Sequence, residues 1–119
     1  MKRINKTTLR AGLFNPENAL QLLAIVTMTN NKITLTIDNT LGLHARPAAL
    51  FVQTANKYPD CEIKVGKDGN VVNGKSIMGL MMLAAAQGNE ITIEASGKNA
   101  DRALQELVQL VKNKFGEED

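Results

Sequence analysis

The stretch from Lys32 to Ala55, "KITLTIDNTLGLHARPAALFVQTA", changes its apolar period halfway along. Up to Asp38 it alternates, with Ile33, Leu35 and Ile37 on one face and Thr34, Thr36 and Asp38 on the other. That is the pattern of a half-buried strand. From Ala48 onward the apolar residues recur at the i, i+3, i+4, i+7 spacing through Phe51, Val52 and Ala55, which makes the stripe of an amphipathic helix. Pro47 fixes the join, because proline is tolerated only in the first turn of a helix, where its missing N–H has no intrahelical acceptor. The helix therefore begins just before Pro47, and His44, the one histidine of the chain, stands at its start.

The same two periods organise the chain beyond Ala55. "CEIKV" sets Cys61, Ile63 and Val65 on one face, "GKDGN" reads as a turn, and "VVN" reads as a short return strand. "EITIEAS" is a fourth strand with Ile91, Ile93 and Ala95 facing inward. Ile77, Leu80, Met81 and Ala84 carry the helical period after Ser76, with Gly88 marking the exit. Ala100, Ala103, Leu104, Leu107, Val108 and Val111 carry it again after Asn99. The order is βαββαβα. One apolar face per strand implies an α+β fold, a four-stranded antiparallel sheet with three helices on one face and water on the other.

Composition narrows the function classes. At 119 residues and 44% hydrophobic, the chain suffices for one core. With 3% aromatic residues and no Trp, that core is aliphatic, and single-stranded nucleic acid finds few rings on which to stack. The single cysteine, Cys61, excludes an internal disulfide and suits a reducing cytoplasm. No apolar run approaches the length of a membrane span. The formal net charge of +2 is unevenly spread. Residues 1–27 hold four basic side chains (Lys2, Arg3, Lys6, Arg10) against Glu17, leaving ten basic and eleven acidic residues for the rest. The main domain thus carries no basic footprint for nucleic acid.

Residues 1–27 are less organised than the remainder. Asn15-Pro16 is a plausible helix start, and Leu20, Leu23 and Ala24 suggest a short stripe running to Val26 or Thr27. The apolar part is short, is interrupted by Gln21 and lacks a small-residue cleavage site, so it makes a poor signal peptide. Two readings stand for this leader: a mis-assigned start ahead of Met28, or a loosely attached extension. The functional domain is expected over residues 28–119.

A histidine beside unpaired helix-start amides lies at the positive end of the helix dipole, which favours an anion. Arg46, two residues on, adds a guanidinium suited to phosphate oxygens. A neutral imidazole is nucleophilic near neutral pH, and the same surroundings would welcome a phosphoryl group. Taken alone, a single histidine at a helix terminus is most often a surface or capping residue. Metal binding lacks a second histidine, and hydrolysis lacks a serine in a glycine-flanked elbow. Ser76 is independently a good N-cap for the second helix. That helix holds more apolar residues than one buried stripe needs. Leu80, Leu83 and Ala84 are the expected core; for Ile77, Met78 and Met81, inward packing is the alternative to an exposed patch.

"GLHARPAALFVQTA" from Gly42 to Ala55, followed by "NGKSIMGLMMLAAAQG" from Asn73 to Gly88, resembles the HPr family, the histidine phosphocarriers of the bacterial phosphoenolpyruvate-dependent phosphotransferase system. The similarity extends from about Ile33 to Phe115. It implies an open-faced β-sandwich and a carrier, not an enzyme, that takes a phosphoryl group from enzyme I and passes it to enzyme IIA domains. By position, the resemblance makes His44 the histidine phosphorylated at Nδ1, Arg46 the phosphate-assisting arginine, and Ala45 and Pro47 the supporting helix start. It makes Ser76 the serine modified by HPr kinase/phosphorylase. Ile77, Met78, Met81 and Ala49 become the patch that docks partners, where methionine suits a surface meeting several of them. The family implies a cytoplasmic monomer with no metal or organic cofactor, no nucleic-acid partner and no membrane insertion. The turn "VGKDGNVV", which puts Ser76 32 positions after His44, and the ending "KNKFGEED" resemble the nitrogen-related branch, NPr, so sugar and nitrogen branches both stand. A regulatory module acting through the Ser76 helix is the alternative to a carrier.

Overall fold

A computed structural model describes residues 31–117. The leader helix expected from Pro16, and the boundary at Met28, lie outside these residues. Four strands, β1 (Lys32–Thr36), β2 (Cys61–Lys67), β3 (Asn70–Asn73) and β4 (Glu90–Gly97), form one sheet in the order β1-β4-β2-β3. Every pairing is antiparallel. Helices α1 (Ala45–Ala55), α2 (Ile77–Met82) and α3 (Ala100–Lys112) complete the βαββαβα order. A 3-10 turn, Lys114–Gly116, closes the described chain.

Register follows from the one buried face. Ile33 pairs with Ile93 and Leu35 with Ile91, while Val65 pairs with Ile93 on one side and Val72 on the other. A slip of one residue would send each of these aliphatic chains to the wet face. Thr34 and Thr92 face water instead, and their hydroxyls meet at 2.8 Å. The β2–β3 connection is the tight turn foreseen at "KDGN", with positive φ at both Asp68 (51°) and Gly69 (86°), as a two-residue hairpin with the twist of its strands requires. Against the apolar face, Phe51 of α1, Leu80 of α2 and Leu104, Leu107 and Val111 of α3 pack with Ile63, Val65, Ile91 and Ile93. At the sheet edge Ile33 and Leu35 are only half-buried, while Ile37, one residue past β1, is fully enclosed.

The second helix departs from the expectation that its period runs through Ala84 towards Gly88. It has six residues and stops at Met82. Leu83 and Ala84 close it with N–H bonds back to Leu80 and Met81, and Ala84 turns left-handed at φ 52°. Ala84 is exposed, and the buried alanine is Ala85. The letters "MMLAAA" favour helix, but a tertiary demand overrides them: the Ala85 carbonyl accepts the Leu43 N–H at 2.8 Å. The left-handed turn at Ala84 takes the chain off the helical path and leaves the Ala85 carbonyl with that partner.

The end of the chain is bent back deliberately. Lys114, Phe115 and Gly116 all have positive φ, at 57°, 56° and 76°. For the two non-glycine residues this costs on the order of 1–2 kcal/mol each. Phe115 is buried in the core, and burying such a ring contributes about 1.5–3 kcal/mol, which offsets much of that strain. Glu117 is thereby carried towards the start of α1.

Gly42 holds the other side of the same region. Its φ is +69°, and a Cβ added there would lie 2.4 Å from the Ala85 carbonyl oxygen. The loop therefore approaches the segment after α2 closely enough for the Leu43–Ala85 bond only because residue 42 has no side chain. Gly42→Ala is expected to lower stability by about 2–3 kcal/mol, measurable by denaturant unfolding, and to shift the amide resonances of Leu43 and His44 more than those of β2–β3. An unchanged midpoint would show that the close approach is not needed.

Candidate functional site

His44 is the residue that caps α1, with extended backbone at φ −84°, ψ −168°. Its N–H is used on the Gly42 carbonyl (3.0 Å), and its carbonyl accepts the Ala48 N–H (2.9 Å). The side chain makes no cap bond, and the first turn contains no acidic residue. Pro47 is the third helical residue and is buried, contributing rigidity and no N–H. The amides left at this helix start are those of Ala45 and Arg46, which have no acceptor within the helix. Ala45 and Arg46 are both exposed, and Ala49 is half-buried one turn beyond Ala45. The result is a partly open imidazole, two outward amides and a long-armed cation on one helix end, an arrangement suited to a small anion.

Two residues that sequence reasoning assigned no role join His44. Glu117 Oε2 lies 2.8 Å from His44 Nε2. The other carboxylate oxygen, Oε1, accepts a hydrogen bond from Asn39 Nδ2 at 2.9 Å. Asn39 Nδ2 also donates to the Gly42 carbonyl at 2.7 Å. Asn39 is fully buried and the one buried polar residue of the core among the described residues. Both of its neighbours are acceptors only, so its nitrogen must face them. Glu117 is 14% exposed against 35% for His44. The Asn39 amide is the largest influence holding the Glu117 carboxyl below the usual carboxylate range; burial opposes this, and the His44 bond and the Arg46 charge reinforce it. Glu117 is therefore an anion at neutral pH. No local pattern could have exposed the pairing, since 73 residues separate the partners. The nearest signal was the pair of features at either end, an asparagine just before the histidine loop and an acidic residue after the last aromatic.

The imidazole also borders apolar surface. His44 shares a shallow depression with Leu41, Leu43, Met81, Ala84, Ala85 and Ala86. Met81 and Ile77 are exposed, Met78 is 73% exposed, and Met82, which the sequence pattern did not single out, is 78% exposed. Ile77, Met78 and Met81 are thus outward as expected, and the alternative of an inward Met81 does not hold. Met81 reaches the depression beside His44, whereas Ile77 and Met78 lie outside it. Ser76 caps α2, its Oγ accepting the Gly79 N–H at 2.9 Å. It does not line the histidine depression, although α1 and α2 pack against each other. A separate hollow on the wet sheet face is lined by charges of both signs, among them Lys32, Lys64, Glu90 and Glu94, and holds none of these residues. No helix among the described residues is long and apolar enough to cross a membrane.

Comparison with known proteins agrees with this geometry. A family model described as "PTS HPr component phosphorylation site" matches residues 31–113. The chain is 49% identical over 84 residues to the phosphocarrier protein HPr of Pseudomonas aeruginosa, covering 70% of this chain and 92% of that protein. The crystal structure of an HPr from Thermoanaerobacter tengcongensis is similar with a TM-score of 0.70 at 51% identity, covering 74% of this chain and 98% of the other. The solution structure of Crh, titled the Bacillus subtilis catabolite repression HPr, matches with a TM-score of 0.52 at 45% identity, over 67% and 94% of the two chains. With the match spanning the whole sheet and both helix starts, the chain belongs to the HPr family of phosphocarrier proteins of the phosphotransferase system.

Proposed function

We propose that this protein carries a phosphoryl group on Nδ1 of His44, receiving it from phosphorylated enzyme I and delivering it to enzyme IIA domains in the cytoplasm. The observation that supports this most is the open helix start: a partly exposed imidazole at the N-cap, with the Ala45 and Arg46 amides outward and no acid in the first turn. In the transfer, the Nδ1 lone pair attacks phosphorus and the bond to the donor breaks. Charge on the peripheral oxygens meets the two amides and the Arg46 guanidinium, which suit an oxyanion by geometry and charge. Onward transfer is the reverse, the electron pair of the P–N bond returning to Nδ1. A helix terminus stabilises such a charge by only about 0.3–1 kcal/mol at an exposed site. A weak hold is what a carrier requires, because the group must leave again.

The apolar surface beside His44 gives the docking partner something to bury. Met81, Ile77 and Met78, with Ala49 on α1, make the surface on which enzyme I and the IIA domains would sit, and Leu41 and Met82 extend it. Methionines repack against differently shaped partners at little cost. Regulation enters through Ser76, at the edge of the same surface. A phosphate there would add about 1.5–2 negative charges next to this apolar patch, opposing burial against a partner. HPr kinase/phosphorylase is the proposed source. A second reading, a module that regulates partners through the Ser76 helix, is favoured by the likeness to Crh, the Bacillus subtilis catabolite repression HPr.

Intact mass after incubation with enzyme I, Mg²⁺ and phosphoenolpyruvate tests the carrier role. The wild type is expected to gain one acid-labile phosphate and His44→Ala none. No gain by the wild type with an enzyme I that labels a known HPr would leave only the regulatory reading. ATP-dependent labelling by HPr kinase should be lost in Ser76→Ala, whose missing cap costs about 1 kcal/mol and leaves the domain folded at 25 °C by circular dichroism. Persistent labelling of that variant would place the modification on another residue.

A further inference from the structure

The carboxylate behind His44 is held too firmly, and at too much conformational cost, to be an incidental contact. Three consecutive left-handed residues, Lys114, Phe115 and Gly116, turn the chain so that Glu117 reaches the imidazole. Phe115 anchors that turn in the core. Asn39, fully buried, spends one N–H on Glu117 and the other on the loop carbonyl of Gly42. The carboxylate is thus fixed from the core side through Oε1 and offers only Oε2 to the ring.

We infer that Asn39 and Glu117 form a positioning pair that fixes the proton of His44 on Nε2 and so presents Nδ1 as the nucleophilic nitrogen. The inference rests on the carrier reading for its function, while the proton placement stands on the geometry alone. An ionised carboxylate is an acceptor only, so the proton in the 2.8 Å contact belongs to Nε2. In the neutral ring the other nitrogen, Nδ1, then holds the lone pair. Asn39 is the positioning residue for Glu117, and Glu117 for His44.

The pair also serves the transfer itself. When Nδ1 forms its bond to phosphorus and the donor bond breaks, the Nε2 proton stays in place and the ring becomes a phosphoimidazolium. Its positive charge faces Glu117, much as a buried carboxylate supports an imidazolium in a hydrolytic triad. On donation the P–N bond breaks, its electron pair returns to Nδ1, and the leaving group is neutral imidazole still protonated at Nε2. No proton has to enter or leave in either direction. Among the described residues, the charged groups that bear on this ring are Glu117, directly bonded, and Arg46, whose charge acts on Glu117.

The test uses the full chain with ¹⁵N-labelled histidine. In the unphosphorylated wild type, at a pH high enough to keep the ring neutral, the imidazole spectrum is expected to show a protonated, hydrogen-bonded Nε2 with slowed proton exchange and an unprotonated Nδ1. In Glu117→Ala and in Asn39→Ala the slowed Nε2 proton should be lost, and the double variant should be no worse than Glu117→Ala alone, because Asn39 acts through Glu117. Phosphoryl transfer from enzyme I should fall roughly tenfold in kcat in each single variant, as for outer groups that orient a reacting imidazole elsewhere, with KM little changed. Thermal unfolding checks that each variant is folded at the assay temperature; where Asn39→Ala is not, Glu117→Ala, at a part-exposed position near the chain end, decides alone. A neutral ring that carries its proton on Nδ1 in the wild type, or ring signals and kcat unchanged in Glu117→Ala, would overturn the inference. Failure of the wild type to accept phosphate would instead contradict the carrier reading and leave the ring spectra to judge the pair.

Discussion

One hydrogen bond, from the Leu43 N–H to the Ala85 carbonyl at 2.8 Å, ties together the two segments on which the site depends. On one side it holds the loop that presents His44 as the cap of α1. On the other it ends α2 early and brings Met81 and Ala84 to Ala86 beside the ring. Gly42 makes the approach sterically possible, and Asn39 pins the same glycine's carbonyl from beneath. The imidazole is therefore set by backbone contacts on both flanks, while its own side chain is left to make a single bond, to Glu117. A short helix, two left-handed residues and a buried amide are all consequences of that one junction.

The site separates its tasks by chemistry. Ala45 and Arg46 are exposed at the helix start, where in the proposed function an anion would arrive and depart. Asn39 and Glu117 sit behind the ring, Asn39 fully buried and Glu117 only partly exposed. The apolar patch lies to the side, on α2 and the loop. A group transferred between proteins must be held well enough to survive diffusion and weakly enough to be given up. In the proposed carrier role, fixed dipoles of modest strength in front and one preorganised carboxylate behind would meet both conditions without a metal-like hold on the phosphate.

The sheet was legible in the sequence because a strand with one wet face must alternate, and Ile63, Val65, Ile91, Ile93 and Ala95 are buried as their pattern requires. The start of α1 was legible because Pro47 permits almost no other placement. The family of the chain came from two motifs whose match the family comparison bears out; counting showed only that one stripe could not bury every apolar residue of α2, and the choice of Ile77, Met78 and Met81 as outward came from the resemblance. The end of α2 was misread, since alanine runs favour helix locally and the bond that stops it comes from a residue 42 positions earlier. Asn39 and Glu117 were invisible for the same reason. Their partnership exists only after the sheet, three helices and a strained final turn have brought the two ends of the domain together.

The nitrogen proposed to bear the phosphate is the point at which all these features meet, and phosphorus–nitrogen coupling in the phosphorylated, ¹⁵N-histidine-labelled protein locates it directly. The geometry predicts a ³¹P coupling to Nδ1 of His44, with a proton retained on Nε2. Coupling to Nε2, or phosphate on any residue other than His44, would contradict an account in which Glu117 occupies one side of the ring and the open helix start receives the phosphoryl group on the other.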